Sequence, residues 1–198
     1  FLESLKGDGF VETFTSSEIS KQDLNSVHTI TALLLAGLYP NVARIDVPKS
    51  ATEKFPLLSA GSEQLKMHPG SLCHGKIEGL HRTNHRWICY HTKMQTSQVF
   101  LRASSFLPPN ALLLFGGEAN TLSIHPLEKS VSVGTGSEKH WHTMTVAPRI
   151  AALLRQLRHS FDGLLRRKAT APSSPLNPEQ KSILTAYIAV INSVDTDA

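Results

Sequence analysis

The sequence has few cysteines, no long apolar run and no nucleotide-binding loop, and each shortage excludes a class of protein. Only Cys73 and Cys89 occur among the 198 residues, too few for the disulfide framework of a small secreted domain. Cys89 lies within a predicted strand, where a small buried apolar residue is expected. We therefore expect a reducing, intracellular compartment, whether nuclear, cytoplasmic or mitochondrial.

The longest apolar block covers residues 30–39 and is followed by further polar sequence after Pro40. A helix needs about 20 apolar residues to cross a bilayer, so we expect no membrane span and no membrane partner. The chain begins at Phe1 without a methionine or a signal-like segment. That start is typical of a fragment of a longer protein.

Nucleotide hydrolysis requires a phosphate-binding loop, and the sequence contains no G-x-x-x-x-G-K-S/T motif. Residues 134–139, GTGSEK, resemble one, but their spacing does not let backbone amides wrap a phosphate. No acidic nucleotide-hydrolysis motif is present either. We expect this chain to have no catalytic residue, no cofactor and no ATPase activity of its own.

Ten histidines raise the question of a metal site or a hydrolase. A structural zinc site favours thiolates at C-x-x-C spacing, and a catalytic histidine needs a nucleophile within a signature such as G-x-S-x-G. Neither pattern occurs, so we expect no metal site, and a stand-alone hydrolase is a weak interpretation. The residues considered are Cys73, His74, His81, His85, Cys89 and His91.

The composition is that of a globular protein for which an anionic partner is permitted. With 40% apolar and 18% charged residues, the chain can form one substantial domain with an appendage. The net charge of +4 and the pI of about 9.2 allow an anionic partner without requiring one. Within residues 147–168 the single acid Asp162 stands against six basic residues: Arg149, Arg155, Arg158, Arg166, Arg167 and Lys168.

Two strand-like runs, 87–90 and 99–101, are separated by the polar residues 93–98. The runs are apolar, aromatic or β-branched, and the connection has the length of a β-hairpin loop. We therefore predict a hairpin with polar side chains at its tip. This stretch carries most of the functional information in the sequence.

Further short β-like runs predict a barrel rather than a βαβ sheet. They cover residues 42–47, 65–67, 121–124, 131–133 and 141–146, with a long connection over 49–64. Residues 110–115 are compatible with a short helix or another strand. We predict a mainly β protein, a β-barrel with flanking helices and C-terminal helices.

Helices are predicted at four places. Residues 1–11 fit the end of a helix closed by Gly7-Asp8-Gly9, and residues 26–38 a helix buried against the barrel. Residues 147–168 have apolar positions at period 3.6, with the basic residues on the opposite side. Asn177 as N-cap, Pro178 and Gln180 predict the start of a last helix.

The motif Trp87-x-x-Tyr90-His91-x-Lys93-Met94-x-Thr96-Ser97, followed by Leu112–Gly117, resembles the C-terminal oligonucleotide/oligosaccharide-binding (OB) region of DEAH/RHA-type RNA helicases. Four further segments fit that family in the same order: residues 36–43, His68-Pro69-x-Ser71, Trp141 and residues 147–151. Together they cover residues 27–168. The long segment between Gly117 and Trp141 is closest to the RHA-like branch, and an RNA-editing helicase is one candidate identity.

The resemblance implies three parts: residues 1–25 as the tail of a helical ratchet domain with a linker, 26–146 as the OB-fold barrel with its leading helix, and 147–198 as a C-terminal helical extension. It implies that the module grips single-stranded RNA at the exit of the RNA channel and contacts the helicase core, while ATP and Mg²⁺ bind in lobes outside this chain. Gly70, Leu72 and Ala103 depart from the family pattern, which leaves base preference open.

Single-stranded RNA binding needs cations for phosphates and planar or hydrogen-bonding groups for bases. The hairpin supplies these groups, with Tyr90 or Trp87 for stacking. The alternative for both rings is a position in the barrel core, which is favoured for Trp87. The predicted RNA-binding residues are Arg44, Arg86, Tyr90, His91, Lys93, Thr96, Ser97 and Arg102. A second basic contact, with RNA or an acidic protein, is predicted at Arg149, Arg155, Arg158 and Arg166, where a solvated surface is the alternative.

A different class of function stays open beside RNA binding. The barrel and the basic helix together can form a protein-interaction platform that recruits partners to a ribonucleoprotein complex, with RNA contact incidental. RNA titrations at two salt concentrations separate these two hypotheses.

Overall fold

The computed structural model describes residues 2–9, 26–46, 58–60, 63–74, 86–118, 121–134 and 142–193. Five strands form a closed barrel in the order β1-β2-β3-β5-β4, in which only the β3–β5 pair is parallel. The predicted barrel is therefore confirmed. Its strands are β1 (Val42–Ile45), β2 (Leu58–Ala60), β3 (Glu63–Met67), β4 (Trp87–Gln95) and β5 (Val99–Phe106).

Five helices accompany the barrel in the described residues. They are α1 (Leu2–Gly7), α2 (Val27–Leu38), α3 (Pro109–Phe115), α4 (Pro148–Thr170) and α5 (Pro178–Asn192). The helices predicted from caps and periodicity are all present, and residues 110–115, left open between helix and strand, belong to α3. The capping box predicted for α5 is formed, because Gln180 N donates to Asn177 Oδ1 and Asn177 N donates to Gln180 Oε1.

Two expectations about the strands were wrong. Residues 58–60, expected in a long connection, form β2, which pairs with β1 and β3. The later β-runs do not join the barrel but form a separate antiparallel sheet of β6 (Ser123–His125), β7 (Ser130–Val133) and β8 (His142–Thr145). The barrel has no edge left for them, since β4 pairs with both β1 and β5.

Strand β4 lies between two apolar cores, which explains why four consecutive residues are buried. Ile88 and Tyr90 belong to the barrel interior with Leu101, whereas Trp87 and Cys89 belong to a second core formed with the helices and the second sheet. Alternating side chains point to opposite faces of a strand. A strand covered on both faces therefore reads as a continuous apolar run.

Helix α2 is less buried than predicted. Only Ala32 and Leu35 are buried along it, and Leu33 retains 57% of its surface exposed. The apolar pattern of α4 placed Ile150, Leu153 and Leu165 on its buried face, but all three are exposed, whereas Ala151 is buried beside Leu154. Ala151 is covered because it faces the second core.

Arg158 is the clearest correction on α4. It was expected on the exposed basic side, but only 3% of its surface is exposed. Its guanidinium donates hydrogen bonds to four backbone carbonyls at the end of α3, those of Leu113, Gly116, Gly117 and Glu118. This arginine therefore joins two elements of the fold and is not available to an external ligand.

The Gly116-Gly117 pair after α3 is required by close packing. A Cβ on Gly116 would lie 2.5 Å from the carbonyl oxygen of Leu112. Gly117 has φ = +67°, a left-handed conformation that favours glycine. The two glycines thus let the chain turn beneath Arg158.

Residues 10–25, His81, His85 and Trp141, which several predictions concern, lie outside the described residues. Among the helices that the structure describes, none combines the length and the apolar character that a bilayer span requires.

Candidate nucleic-acid interface

A cleft of about 400 Å³ opens beside the β4–β5 hairpin. It is lined by His68, Gly70, Ser71, Leu72, Thr92, Arg102, Ala103 and Ser104. Two segments distant in sequence meet here: the His68-Pro69-Gly70-Ser71 turn and the middle of the hairpin. Both belong to the motifs that were recognised in the sequence.

The turn that forms one wall is held by local hydrogen bonds. Ser71 N donates to the carbonyl oxygen of His68 at 2.8 Å, and Gly70 N donates to His68 Nδ1 at 3.0 Å. The Ser71 and Ser104 hydroxyls lie 2.9 Å apart and tie this wall to β5. The His68 ring is thus fixed by Gly70, and it meets the Phe100 ring edge-on at 6.0 Å.

The opposite wall depends on an unusual residue in β5. Ala103 has φ = +48°, a left-handed conformation that is strained for a residue with a Cβ. It interrupts the strand alternation, so that Leu101 and Ser104 are both buried while Arg102 and Ala103 are exposed. Arg102 alternates with the buried Leu101 and is paired with Thr92 on β4, and both Arg102 and Thr92 line the cleft.

The predicted cations differ in their surroundings. Lys93 forms an ion pair with Glu63 at 2.5 Å, and Arg44 with Asp46 at 2.7 Å. For Arg102, Arg86 and Lys66, no acidic partner lies within ion-pair distance among the described residues. Arg102 is therefore the predicted cation that combines a cleft position with an uncompensated charge.

The pKa of Lys93 reflects its pairing. Partial burial works to lower the pKa, but the hydrogen bond to Glu63 and the attraction of Tyr90 and Glu63 together outweigh it, so the pKa is raised. The ammonium lies 5.8 Å from the Tyr90 ring centre. A phosphate must compete with Glu63 for this charge.

Tyr90 was proposed as a base-stacking residue, and the structure corrects this. Its ring is 5% exposed inside the barrel, and burial raises the pKa of its hydroxyl. The aromatic rings near the cleft are instead those of His68 and Phe100, both partly exposed. Lys66 lies beside them, paired with Phe100 across β3 and β5.

The predicted residues do not form a single patch. Thr96 and Ser97 lie at the hairpin tip, about 13 Å from Thr92 along the strand at the usual rise per residue. Arg86 precedes β4 at its opposite end, roughly 30 Å from the tip by the same rise. Arg44 lies at that end too, where it pairs with Trp87.

His91 is exposed between these ends. The structure therefore brings Arg102 together with Thr92, near the tip residues, and separates Arg86 and Arg44 from them.

On α4, Arg149, Arg155 and Arg166 are exposed as predicted, whereas Arg158 is buried. Arg166 forms an ion pair with Asp162 at 2.8 Å. Of the four residues predicted for a second basic contact, Arg149, Arg155 and Arg166 remain candidates, and the contact itself stays a prediction.

Sequence reasoning did not select five residues of the candidate interface, namely Lys66, His68, Ser71, Thr92 and Phe100. His68 and Ser71 were noted in a family motif but not assigned to RNA, because the pairing of β3 with β5 is not visible in the sequence. The signal that could have identified them was the His68-Pro69-x-Ser71 motif, which the fold places beside the polar β4–β5 hairpin. In the residues that the structure describes, no three His, Cys, Asp or Glu side chains come together as a metal site would require.

Comparison with known families gives two matches. Residues 30–119 match the family described as oligonucleotide/oligosaccharide-binding (OB)-fold, and residues 137–193 match the C-terminal domain in RNA helicases. The first match contains the barrel strands, the hairpin and the cleft. The second contains β8, α4 and α5.

Individual proteins are similar along most of the chain. The ATP-dependent DNA/RNA helicase DHX36 of Bos taurus is 30% identical over 200 residues, 98% of this chain and 19% of that protein. DHX36 of Mus musculus is 31% identical over 87% of this chain and 16% of that protein. The ATP-dependent RNA helicase DHX29 of Homo sapiens is 28% identical over 97% of this chain and 14% of that protein. The chain thus spans less than a fifth of the length of these relatives.

Proposed function

We propose that this chain, which belongs to the C-terminal OB-fold region of the DEAH-box RNA helicases, binds single-stranded RNA. The proposed binding site is the cleft beside the β4–β5 hairpin. The observation that carries the proposal is the position of Arg102. It lies in a cleft of about 400 Å³ with the hydrogen-bonding side chains of Ser71 and Thr92, and no acid of the described residues pairs with it.

The chemistry of the cleft fits a single strand. Arg102 and Lys66 attract phosphates, His68 and Phe100 offer ring surface to a base, and Ser71 and Thr92 can bond to base edges or to a ribose hydroxyl. In a duplex the bases are already stacked and paired, so the cleft can gain only phosphate contacts. From Thr92 a bound strand continues towards Thr96 and Ser97 at the tip.

The proposal includes a parent protein. The relatives are ATP-dependent helicases, so we infer that this module is part of a longer helicase and contacts its core. ATP and Mg²⁺ belong to that core, since the 198 residues contain no phosphate-binding loop. The chain alone is proposed to have no RNA-stimulated ATPase activity. A role in RNA editing or RNA processing stays a prediction from the resemblance alone. The intracellular compartment stays a prediction from the low cysteine content.

The test is a titration of a fluorescently labelled 12-residue oligouridylate, followed by anisotropy at two salt concentrations. Arg102→Ala should weaken binding and reduce the magnitude of the log–log salt slope by about 0.7, the value for one phosphate on a single strand. Thr92→Val should weaken binding with little change of slope, because it removes a neutral hydrogen bond worth about 1 kcal/mol.

Arg86→Ala is the matched control, since Arg86 is also exposed and unpaired among the described residues but lies at the far end of β4. The double variant Arg155→Ala with Arg166→Ala tests α4. If Arg102→Ala binds like the parent chain while the α4 variant loses binding, the RNA site lies on α4. If the chain binds no oligonucleotide at either salt concentration, the protein-interaction alternative is favoured.

A further inference from the structure

The hydroxyl groups of Ser104 and Ser71 form a chain of hydrogen bonds that leads from the barrel interior to the cleft. Ser104 is 8% exposed, and its Oγ atom lies 2.8 Å from the Sδ atom of Met67, which is 6% exposed. A thioether sulfur carries no proton and can only accept a hydrogen bond. The proton between these two atoms therefore belongs to Ser104, whose hydroxyl donates to Met67.

The direction of that bond fixes the hydroxyl of Ser71. Its Oγ atom lies 2.9 Å from the Oγ atom of Ser104. A hydroxyl has one proton and two lone pairs, and the proton of Ser104 already points at Met67. Ser71 must therefore donate to Ser104, which leaves only lone pairs for a ligand. Because Ser71 lines the cleft, it offers the ligand a hydrogen-bond acceptor and no donor.

The charged and aromatic groups beside Ser71 have the opposite polarity. The guanidinium of Arg102 can only donate. His68 Nδ1 accepts a hydrogen bond from Gly70 N at 3.0 Å, so the proton of the neutral ring lies on Nε2, which is a further donor. Phosphate oxygens pair with these donors but cannot pair with Ser71. Ser71 needs a ligand group that carries an O–H or an N–H.

The acceptor is held in place before a ligand binds. Ser71 N donates to the carbonyl oxygen of His68 at 2.8 Å and closes the turn. Two residues further on, Cys73 Sγ donates to the carbonyl oxygen of Ser104 at 3.0 Å and ties the turn to β5. A group that is already ordered loses little conformational freedom on binding, so its polarity can act on ligand selection.

The 2′-hydroxyl of a ribose is the donor that this position favours. Arg102 and Ser104 are two residues apart on β5, at most about 7 Å at the usual rise of a strand, and Ser71 is bonded to Ser104. A phosphate on Arg102 thus brings the sugar of the same nucleotide close to Ser71, whereas the base edges lie farther from the phosphate. The 2′-hydroxyl is also the group by which a protein distinguishes RNA from DNA.

Resting on the proposed function, in which a single strand occupies this cleft, we propose that Ser71 selects ribose over deoxyribose by accepting a hydrogen bond from a 2′-hydroxyl. Met67 and Ser104 are positioning residues, because they set the direction of the Ser71 hydroxyl. Family membership does not decide this selectivity, since DHX36 is named as a DNA/RNA helicase and DHX29 as an RNA helicase.

Anisotropy titrations with labelled uridine oligomers of equal length test the proposal. The oligomers carry a hydroxyl, a hydrogen or a fluorine at every 2′ position. The parent chain should bind the hydroxyl oligomer about fivefold more tightly than the deoxy oligomer, as expected for one neutral hydrogen bond. The fluoro oligomer should bind no better than the deoxy oligomer, because fluorine cannot donate and its lone pairs face those of Ser71.

Three variants separate the sugar contact from the phosphate contact. Ser71→Ala should bind the hydroxyl and deoxy oligomers equally. Arg102→Ala is the matched control within the cleft: it should weaken all three oligomers by a similar factor and keep their ratio, because their phosphates are identical. Met67→Leu retains the apolar volume but removes the sulfur acceptor, so the Ser104 proton can turn to Ser71 and free the Ser71 proton. The preference over the fluoro oligomer should then fall from about fivefold towards twofold.

The outcomes distinguish this inference from the proposed function. Equal affinity of the parent chain for the hydroxyl and deoxy oligomers would overturn the inference and leave RNA binding at the cleft intact, as would a preference that Ser71→Ala retains in full. An unchanged preference in Met67→Leu would overturn the positioning role of Met67 and Ser104. Failure to bind any oligomer, or binding that Arg102→Ala does not weaken, would overturn the proposed function and this inference with it.

Discussion

Arg158 of α4 donates a hydrogen bond from its Nη2 atom to the carbonyl oxygen of Gly116, beyond the end of α3, at 2.8 Å. The same guanidinium reaches the carbonyls of Leu113, Gly117 and Glu118. The last carbonyls of a helix lack partners within it and carry a partial negative charge, which a buried cation satisfies. Burial lowers the pKa of Arg158, while Tyr187 and Tyr39 act in the opposite direction. The C-terminal helices thereby become part of the same fold as the barrel.

Replacing Arg158 should therefore destabilise the whole module. Arg158→Met retains much of the side-chain volume but leaves four carbonyls without their donor, and we expect a loss of about 3 kcal/mol in the free energy of unfolding. Arg155→Met on the exposed side of α4 should change stability by less than about 0.5 kcal/mol. Urea unfolding followed by circular dichroism measures both. Equal stabilities for the two variants would show that the carbonyl cluster contributes little.

Tyr187 should make the module sensitive to alkaline pH. Its hydroxyl donates to the carbonyl oxygen of Leu114 at 2.7 Å, and burial raises its pKa above the ordinary value of 10.0. A raised pKa of an acid means that the folded state retains its proton longer than the unfolded state. The contribution of Tyr187 to stability is therefore complete below pH 10 and falls above it, by up to about 1.4 kcal/mol per pH unit.

Tyr187→Phe should reduce that slope between pH 10 and 11 and cost about 1 kcal/mol at neutral pH through the lost hydrogen bond. Part of the slope should persist, because burial also raises the pKa values of Tyr39 and Tyr90. Urea unfolding at a series of pH values provides the measurement. An identical pH profile for the variant and the parent chain would mean that Tyr187 ionises without cost to the fold.

The conformation of Ala103 predicts a stabilising substitution. At φ = +48° a Cβ is unfavourable by roughly 1–2 kcal/mol, whereas glycine adopts this region freely. After subtracting the greater unfolded-state entropy of glycine, Ala103→Gly should stabilise the module by roughly 0.5–1 kcal/mol. Ala152→Gly, at an exposed position of α4, should destabilise it by about 1 kcal/mol. A loss of stability at position 103 would show that its methyl group makes a packing contribution larger than the strain.

The Lys93–Glu63 pair predicts a variant with tighter RNA binding. Glu63→Gln releases the ammonium of Lys93 from its partner, so affinity for oligouridylate should rise about threefold and the salt slope should steepen by up to 0.7, one phosphate contact. Glu128→Gln removes an equal charge at an exposed position in the β6–β7 loop and serves as the control. Lys93→Ala should cost less affinity than Arg102→Ala, because Lys93 is already compensated. The same gain in both glutamine variants would indicate a nonspecific charge effect.

Local sequence patterns were enough to predict the hairpin and the helices α4 and α5. The hairpin followed from two β-rich runs around a polar loop, and α5 followed from Asn177, Pro178 and Gln180. The period of residues 147–168 predicted α4, which spans Pro148–Thr170. These features depend on contacts between residues close in sequence, so they can be predicted without knowledge of the tertiary structure. The repeated short β-runs predicted a barrel, and the family resemblance identified it as an OB fold.

Only the tertiary structure decided which faces are covered and which residues meet. Arg158 and Arg155 look alike in the sequence, but only Arg158 faces the carbonyls after α3. Tyr90 lies inside the barrel because it alternates with Cys89, which faces the second core. The His68 turn meets Arg102 because β3 pairs with β5 in parallel. A one-residue change of phase, such as the one at Ala103, reverses the face of every following side chain. Burial and proximity thus depend on pairings between distant segments, which no local pattern encodes.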